Sequence, residues 1–482
     1  MNFATDVVAA SPAARTALVA LGADGRRREI GFGELSDRSA RLAGALMERG
    51  VGRGDVVMTV IGNRPEWVEA MVACFRIGAV ALPCTEQLRP KDLRARMDLV
   101  EPRAVVADER DAQAVLEAGF GRSLLTVPDE SLYEAPSAPA ADLAPADPAL
   151  ITFTSGTAGE AKPILHGQRY LPGQRVQAEH WFGARAGDLA WCTAASGWSK
   201  SARNVFIAPW LMGATALLHD ARFDPEERLD VAEREGVNVL CMAPTEYRAI
   251  AKRTGLRELP ALRHAVAAGE PLNPEIVRLW RDAVGIEIHD GYGQTETGAL
   301  TGMPIGPPVR PGSMGLPLPG FRLWIDDGEL CADPSTIPTF FLDSPVDSPL
   351  GARHPWRTGD RVREDEDGYL WFEGRTDDVI ISAGYRIGPF EVESALVSHP
   401  AVAEAAAVAA PDTERGSVVR AVVVLREGHQ PDEMLARELQ EHVKAETAPY
   451  KYPRIVEFAD ALPKTASGKI RRAAIRAASL DG

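Results

Sequence analysis

The stretch that decides the fold is SDRSARLAGALMERGVGRGDVVMTVIGNRPEWVEAMVACFRIGAVALPC, residues 36–84. Its first part predicts a helix, with Ser36 as the N-cap, apolar residues at helical spacing and Gly50 as the stop. DVVMTVIGN then predicts a short buried strand, RPEWVEAMVACFRIG a second helix between Pro65 and Gly78, and AVALPC a second strand. Helices that alternate with continuous apolar strands predict a doubly wound α/β sheet.

The composition is that of a large folded protein. The chain has 482 residues, of which 45% are hydrophobic and 25% charged, which excludes disorder and predicts two or three folding units at about 150 residues each. The formal net charge of −15 argues against binding to nucleic acid or to an anionic membrane. The apolar stretches are too short to span a bilayer and the N-terminus lacks the pattern of a signal peptide, so we expect no membrane insertion.

The cysteines argue against a zinc site or a disulfide framework, because they are odd in number, far apart and form no CxxC pair. We expect them to be buried free thiols in a reducing cytoplasm. They are Cys74, Cys84, Cys192, Cys241 and Cys331.

The chain changes character in two places. Residues 127–148 are rich in proline and alanine and predict an exposed surface connection, because α/β patterning resumes directly afterwards with ALITFT. From about residue 376 the pattern predicts a helix starting near Pro389, two strands (AVAEAAAVAA and VVRAVVVLRE) and a further helix (MLARELQEHVKAE). We therefore expect an N-terminal domain over residues 1–375 and a small α+β domain over residues 376–482, with GRTDD as the hinge.

Three short segments have the composition of phosphate-binding loops. TFTSGTAGEAK, ending at Lys162, combines small residues, hydroxyls and a lysine, which suits a triphosphate although it is not a Walker A loop. IEIHDGYGQTETG follows a strand predicted at 286–290 and carries Glu296, a hard oxygen ligand suited to Mg²⁺. PKTASGK carries Lys469, either a solvated charge or a point charge that reaches another domain's cleft. Taken singly, each segment is also compatible with an ordinary solvated surface loop.

In their order along the chain, TSGTAGEAK, AGEPLNP, GYGQTETG, WRTGD, GRTDDVIISAGYRIGPFEVE and PKTASGK resemble the motifs of the adenylate-forming superfamily. This superfamily contains acyl-CoA synthetases, luciferases and peptide-synthetase adenylation domains. The resemblance covers nearly the whole chain and is strongest to the short- and medium-chain acyl-CoA synthetases of fatty acid metabolism and to benzoate-CoA ligases. It implies doubly wound α/β subdomains with a β-barrel-like subdomain, followed by a small mobile α+β domain.

The resemblance also implies a reaction in two halves. A carboxylic acid attacks the α-phosphate of ATP to give acyl-AMP and pyrophosphate. The small domain then rotates, and the thiol of coenzyme A (CoA) displaces AMP to give a thioester. A carboxylate is a poor electrophile, so the main task of such an enzyme is to neutralise charge on the transferring phosphoryl group and to position the reactants.

The same resemblance assigns catalytic and nucleotide-binding roles. Lys469 would stabilise the α-phosphate during adenylation, Thr295 would contact that phosphate, and Glu296 would hold Mg²⁺. Asp360 would accept hydrogen bonds from the ribose hydroxyls and Arg375 would hold the ribose–phosphate region. The other nucleotide-facing residues would be Thr154, Ser155, Gly156, Thr157, Gly159, Lys162, Gly269, Glu270, Pro271, Asp290, Gly291, Tyr292, Gly293, Gln294 and Arg386.

Further roles concern the hinge, CoA and the acid. Asp377 would be the hinge, and Gly384 would let the pantetheine arm pass close to the backbone. The other positions that face CoA in the medium-chain branch are Gln87, Ala383, Tyr385, Arg415, Tyr452, Pro453 and Arg454. The acid pocket would contain Trp198, Ala243 and Pro244.

Several points stay open at the level of sequence. Ala158 and Ala161 depart from the family's usual phosphate loop, and one lost hydroxyl donor to a charged group is worth about 1.5–3 kcal/mol of ATP binding. The predicted pocket is compatible with short branched, medium straight-chain and benzoate-like acids. The sequence is compatible with both a monomer and a homo-oligomer. Two alternatives to a CoA ligase are an adenylating enzyme that hands its acyl group to a carrier protein and an inactive nucleotide-binding scaffold.

Overall fold

Strands and helices alternate along most of the chain. The computed structural model describes residues 1–154, 161–342, 355–376, 378–383, 385–413, 415–464 and 470–478, without the side chain of residue 386. The strands are β1 (Thr16–Leu21), β2 (Arg27–Gly31), β3 (Val56–Val60), β4 (Val80–Cys84), β5 (Ala104–Asp108), β6 (Ser123–Val127), β7 (Pro148–Phe153), β8 (Pro163–Gly167), β9 (Leu189–Cys192), β10 (Thr215–His219), β11 (Val239–Met242), β12 (His264–Ala268), β13 (Ile288–Gln294), β14 (Gly298–Gly302), β15 (Ser313–Pro317), β16 (Leu323–Asp326), β17 (Glu329–Ala332), β18 (Trp356–Glu364), β19 (Leu370–Arg375), β20 (Ile380–Ser382), β21 (Tyr385–Ile387), β22 (Val402–Asp412), β23 (Gly416–Leu425) and β24 (Ile455–Phe458).

The α-helices are α1 (Phe32–Glu48), α2 (Pro65–Ile77), α3 (Pro90–Val100), α4 (Ala112–Glu117), α5 (Tyr170–Gly173), α6 (Arg175–Gln177), α7 (Ala208–Leu211), α8 (Pro225–Arg234), α9 (Pro244–Arg253), α10 (Pro274–Val284), α11 (Pro389–Ser398), α12 (Glu433–Glu446) and α13 (Arg472–Ala477). Short π-helical turns lie at Ala4–Ala9, Ala178–Phe182 and Arg203–Ile207, and 3₁₀ turns at Glu130–Tyr133, Pro334–Thr336 and Pro449–Lys451.

The first sheet has the strand order β6-β5-β3-β4-β7-β8. It is parallel from β6 to β7, and β8 closes one edge in the antiparallel direction. Helix α2 begins at Pro65 and ends at Gly78, whose left-handed φ of 73° stops the helix. Strands β4 and β5 are buried along their whole length, as expected for a parallel sheet covered by helices on both faces. The doubly wound α/β prediction is confirmed.

The second sheet joins a parallel half to an antiparallel half. Its order is β16-β17-β18-β19-β15-β14-β13-β12-β11-β9-β10-β1-β2. The strands from β1 to β13 are parallel, and the strands from β13 to β16 are antiparallel. The antiparallel half lies where the resemblance implies a barrel-like subdomain. Because the two halves share β13, residues on both halves are held in one continuous framework.

The last part of the chain has a core of its own. Strands β22, β23 and β24 form a separate sheet, and β20 and β21 form a hairpin. Apolar side chains of α11, β22, β23 and α12 pack together, among them Val392, Leu396, Ala407, Val423 and Leu439. Both predicted strands and both predicted helices of this part are present.

Two helix and strand boundaries differ from the prediction. Helix α1 begins at Phe32 with Gly31 as its N-cap, so Ser36 lies inside the helix. The buried side chains of Phe32 and Leu35 extend the apolar face by one turn, and this packing outweighs the capping preference of a serine. Strand β13 continues to Gln294, beyond the predicted end at residue 290, because its last residues pair with β14.

The connection over residues 127–148 is not simply exposed, as we predicted. The side chains of Leu132, Tyr133, Ala138 and Leu143 are buried. The N–H of Ala138 donates to a carbonyl of α1, so the segment packs on that helix. Its apolar residues are too widely spaced to form a helical or strand pattern, which is why the proline-rich composition alone is misleading.

The described residues also bear on two exclusions. Among them, no helix is both long enough and apolar enough to cross a membrane. All five cysteines are buried and free, as predicted.

Candidate active site

Strands from both sheets end at one large cavity of about 2020 Å³. Thr154 follows β7, Thr193 follows β9, Ala243 follows β11 and Gly269 follows β12, and all of them line the cavity. The carboxyl ends of parallel strands are the usual place for ligands in open α/β sheets. The far wall is formed by β18 and β19 together with residues of α11 and α13.

A buried carboxylate lies on the antiparallel side of the cavity. Asp360 on β18 is 5% exposed and stands directly opposite Arg375 on β19, whose Nη1 donates to Asp360 Oδ1 at 3.2 Å. The hydroxyl of Tyr292 and the amide of Gln294 donate to Asp360 Oδ2, the latter at 2.9 Å. Trp356 Nε1 in turn donates to Gln294 Oε1 at 2.9 Å. A carboxylate held by this many donors has a fixed orientation.

The protonation of Asp360 is set by two opposing effects. Burial raises its pKa above the usual range, and the hydrogen bonds and charge of Arg375 together with Tyr292 and Gln294 lower it. The donors on both of its oxygens show that the geometry is built for the ionised form. A ligand hydroxyl that approaches from the cavity therefore meets an acceptor.

The segment after β12 forms a narrow slot. Gly269 has a φ of 106°, a conformation that favours glycine, and Glu270 and Pro271 follow it along the cavity wall. Both oxygens of Glu270 accept from Thr245 Oγ1 at 2.8 Å. Asp290 lies nearby on β13, where burial raises its pKa well above the usual range.

The two glycines of GYG serve packing. If Gly291 carried a side chain, its Cβ would lie 2.6 Å from Trp181 Cε2. If Gly293 did, its Cβ would lie 1.9 Å from the carbonyl oxygen of Gly298. The sequence suggested loop glycines, but both belong to β13 and allow its close approach to neighbouring groups. Strand β13 therefore presents bare backbone to the cavity at Gly293.

Replacing Gly293 with alanine should destabilise the protein by roughly 1–3 kcal/mol, because the new Cβ would overlap the backbone of β14. The measurement is the free energy of unfolding in denaturant. Gly121→Ala is the matched control, since nothing lies within 4 Å of the Cβ it would add. Equal unfolding midpoints for the two variants would contradict the packing seen here.

The structure describes the predicted phosphate loop only at its two ends, Thr154 and residues 161–162. The N–H of Thr154 donates to the carbonyl of Lys162 at 2.9 Å, and the N–H of Lys162 donates to Thr154 Oγ1 at 3.0 Å. This pair closes the base of the loop, and both residues line the cavity. Thr295 and Glu296 lie on the same cavity, and burial raises the pKa of Glu296.

Several predicted residues lie outside the described part of the chain. They are Ser155, Gly156, Thr157, Gly159, Asp377, Gly384, Lys469 and the side chain of Arg386. The roles that the resemblance gives them stay predictions.

The predicted acid pocket is brought together in part. Trp198 and Ala243 line the cavity, whereas Pro244 is the buried first residue of α9 and is not among the described lining residues. Two basic residues of the same wall were missed, Lys200 and Arg203. Lys200 Nζ donates to the carbonyl of Ala268 at 2.9 Å. The signal was available in GWSKSARNVF, where two cations interrupt a stretch of small and apolar residues.

The predicted CoA-facing residues fall into two groups. Gln87 lines the cavity. The others belong to the C-terminal part and are not among the described lining residues: Ala383, Tyr385, Arg415, Tyr452, Pro453 and Arg454. The N–H of Ala383 donates to the carbonyl of Arg415 at 3.0 Å, and the Arg454 guanidinium lies 5.1 Å from the ring centre of Tyr452. This second group therefore does not line the cavity.

Comparison with known proteins agrees with this architecture. Residues 5–335 match the model of the AMP-binding enzyme family, and residues 391–469 match the AMP-binding enzyme C-terminal domain. The chain is 38% identical to the uncharacterized acyl-CoA ligase YtcI of Bacillus subtilis, over 96% of this chain and 93% of that protein. It is 39% identical to the mitochondrial acyl-coenzyme A synthetase ACSM3 of Rattus norvegicus, over 94% of this chain and 85% of that protein.

Two solved structures resemble the whole chain. The anthranilate CoA ligase AuaEII in complex with anthranoyl-AMP has a TM-score of 0.90 at 27% identity, covering 100% of this chain and 97% of that one. A benzoate CoA ligase from Burkholderia xenovorans LB400 has a TM-score of 0.87 at 29% identity, covering 99% and 100%. The chain belongs to the AMP-binding enzyme family.

Proposed function

We propose that this chain is an ATP-dependent carboxylate–CoA ligase that forms acyl-CoA through an acyl-adenylate. The observation that carries the proposal is Asp360, whose carboxyl oxygens are held by Tyr292, Gln294 and Arg375 and which lines a cavity together with Thr154 and Lys162. Asp360 would accept hydrogen bonds from the ribose hydroxyls, and Lys162 would face the phosphates. Together these two residues suit a single bound nucleotide. Relatives named acyl-CoA ligase or synthetase, and structural neighbours named benzoate and anthranilate CoA ligases, support a medium-chain or aromatic acid.

In the first half-reaction, the acid's carboxylate oxygen bonds to the α-phosphorus of ATP and the bond to the pyrophosphate oxygen breaks. Lys162 and Lys469 supply positive charge near the phosphates, and Thr295 donates to the α-phosphate. Glu296 suits Mg²⁺, because this ion keeps several waters and needs only one or two carboxylates beside substrate phosphates. When bound, Mg²⁺ would neutralise charge on the triphosphate. Asp360 and the slot at Gly269 hold the nucleoside in place.

In the second half-reaction, the CoA thiol attacks the acyl carbon and AMP leaves with the bonding electrons. We propose that residues 376–482 rotate between the two halves as one body about Asp377. Two anchors support this position. Arg375 is bound to Asp360 on the large sheet, and Asp378 is paired with Arg472 and Arg476 of α13. A rotation at residue 377 leaves both sets of contacts intact.

The rotation would also explain why the predicted CoA residues are split. Ala383, Arg415 and Tyr452 belong to the small domain and do not line the cavity, whereas Gln87 does. We propose that the second pose turns these residues towards Gln87 and admits the pantetheine arm beside Gly384. The buried free cysteines favour a reducing compartment, and we place the reaction in the cytoplasm.

The proposed function is tested by two assays on the full chain. Acid-dependent exchange of pyrophosphate into ATP, over carboxylic acids of graded length and aromaticity, reports the first half-reaction. Thioester formation with CoA, compared with a phosphopantetheinylated carrier protein, reports the second. We expect exchange with a subset of the acids and transfer to CoA. Transfer to the carrier protein alone would favour an adenylating enzyme for carrier proteins, and no exchange with any acid would favour an inactive scaffold.

A further inference from the structure

Arg203 is a buried cation on the wall of the cavity that lacks partners for part of its guanidinium. It begins the π-helical turn Arg203–Ile207, every residue of which is buried, and it is 6% exposed. Its Nε and Nη1 atoms have no hydrogen-bond partner among the described residues. The residue nevertheless lines the cavity.

Among the described residues, no salt bridge pairs Arg203 with a carboxylate. Tyr170 is buried close to the guanidinium, and the charge of Arg203 acts on its hydroxyl. His166 lies nearby, and burial together with the charge of Arg203 lowers the pKa of its ring to about 3, so the imidazole is neutral. Nη1 points towards Gly298, 3.6 Å from the position that a Cβ would take there. Arg203 therefore lies beside the Thr295–Gly298 segment, at the end of the cavity where an anionic group is expected.

Arg420 shows what a buried arginine with a purely structural role looks like in this protein. It is 8% exposed, almost as buried as Arg203. Its Nε and Nη2 donate to the two oxygens of Glu457 at 2.8 and 2.6 Å, and its Nη1 donates to the carbonyl of Ile475 at 3.1 Å. A buried charge is costly unless it is paired, and Arg420 meets that requirement within the chain. Arg203 does not meet it among the described residues, which points to a partner supplied from outside.

We propose that Arg203 binds a carboxylate group of the acid substrate. This inference rests on the proposed function, which brings a carboxylic acid into the cavity. Arg203 follows the predicted acid-pocket residue Trp198 by five positions and lies beside Thr295, where the proposed reaction joins the carboxylate to the α-phosphate. Thr154 and Lys162 are the residues proposed for the outer phosphates. The carboxylate has two sources: the group that is adenylated, or a second carboxylate at the far end of a dicarboxylic acid.

The test compares Arg203→Met and Arg203→Lys with the wild-type protein in acid-dependent pyrophosphate exchange. The acids are matched pairs, hexanoate with adipate and benzoate with terephthalate. We expect Arg203→Met to lower kcat/KM for the acid by about 10- to 100-fold, the effect of one or two charge-assisted hydrogen bonds, with KM for ATP unchanged. Arg203→Lys should restore part of the loss. If kcat/KM falls for both the monoacid and the diacid of a pair, Arg203 binds the carboxylate that is adenylated. If it falls for the diacid alone, Arg203 binds the second carboxylate of the diacid.

Thermal unfolding separates substrate binding from a structural role. Without acid, Arg203→Met should melt at or above the temperature of the wild type, because it removes an unpaired buried charge and keeps an unbranched apolar chain. Arg420→Met, which leaves Glu457 without its partner, should melt at a lower temperature. An unchanged kcat/KM for every acid in Arg203→Met, or a melting temperature lowered as much as in Arg420→Met, would overturn the proposal.

The same measurements distinguish failure of the inference from failure of the proposed function. If the wild type catalyses no exchange with any acid, the ligase proposal fails, and binding is read by the shift in melting temperature that each acid causes. Stabilisation of the wild type but not of Arg203→Met by these acids would still support a carboxylate site at Arg203. Equal stabilisation of both proteins would refute it.

Discussion

Replacing Asp360 with alanine should lower kcat/KM for ATP by roughly 100- to 1000-fold, or about 3–4 kcal/mol. The variant loses the carboxylate that we propose as the acceptor for the ribose hydroxyls. It also leaves Tyr292, Gln294 and Arg375 with donors that no longer converge on one point. Because the adenylate keeps its ribose in both half-reactions, pyrophosphate exchange and thioester formation from supplied acyl-AMP should both fall.

The matched control is Asp326→Ala on β16. Asp326 is an exposed carboxylate of the same antiparallel region, and its Oδ2 accepts from Arg357 Nη1 at 2.6 Å. An exposed ion pair of this kind contributes about 0–1 kcal/mol, so its loss should leave both activities unchanged. If Asp360→Ala retained wild-type KM for ATP, Asp360 would not bind the nucleotide.

Replacing Lys469 with alanine should abolish one half-reaction and spare the other. We propose that its charge acts only while the α-phosphate is attacked. A lost charged contact in a transition state costs about 3 kcal/mol or more, at least 100-fold in rate. We expect exchange to fall by this amount, whereas thioester formation from supplied acyl-AMP and CoA should keep its wild-type rate. Single-turnover measurement of each half-reaction tests the split.

Lys91→Ala is the control for the loss of a lysine charge, since Lys91 is an exposed residue of α3 away from the cavity lining. It should leave both half-reactions unchanged. An equal loss of both halves in Lys469→Ala would show that the lysine does not act in adenylation alone. The contrast with Asp360→Ala, where both halves fall together, distinguishes a group that holds the nucleotide from one that enters the site for a single step.

The alternation of helices and strands was predictable because each element carries its own local signal. Helix α2 shows this best, since Pro65 and Gly78 mark its two ends and the apolar residues between them fix its buried face. The start of α1 was not predictable from Ser36, because the extra turn is held by the packing of Phe32 and Leu35 against distant parts of the chain. The sharing of β13 by two kinds of sheet was likewise hidden, since pairing partners lie far away in sequence.

The site was predictable where a motif brings its own geometry. WRTGD and GRTDD place Asp360 and Arg375 on paired strands, and their direct opposition follows from that register. The support that Asp360 receives from Tyr292 and Gln294 was not predictable, because it depends on how β13 lies against β18. Arg203 was missed for a related reason: whether a cation has a partner is a property of its three-dimensional surroundings, and a composition pattern does not contain it.

The bare backbone at Gly293 also limits how this enzyme can evolve or be redesigned. The carbonyl of Gly298 occupies the space that any side chain at 293 would need, so the cavity wall at this position cannot vary in size. Changes in the preferred acid must therefore come from other lining residues, such as Trp198, Arg203 and Ala243, whose side chains can be varied in size and charge. A mutant library aimed at new acids should vary those positions and leave the glycine strand intact.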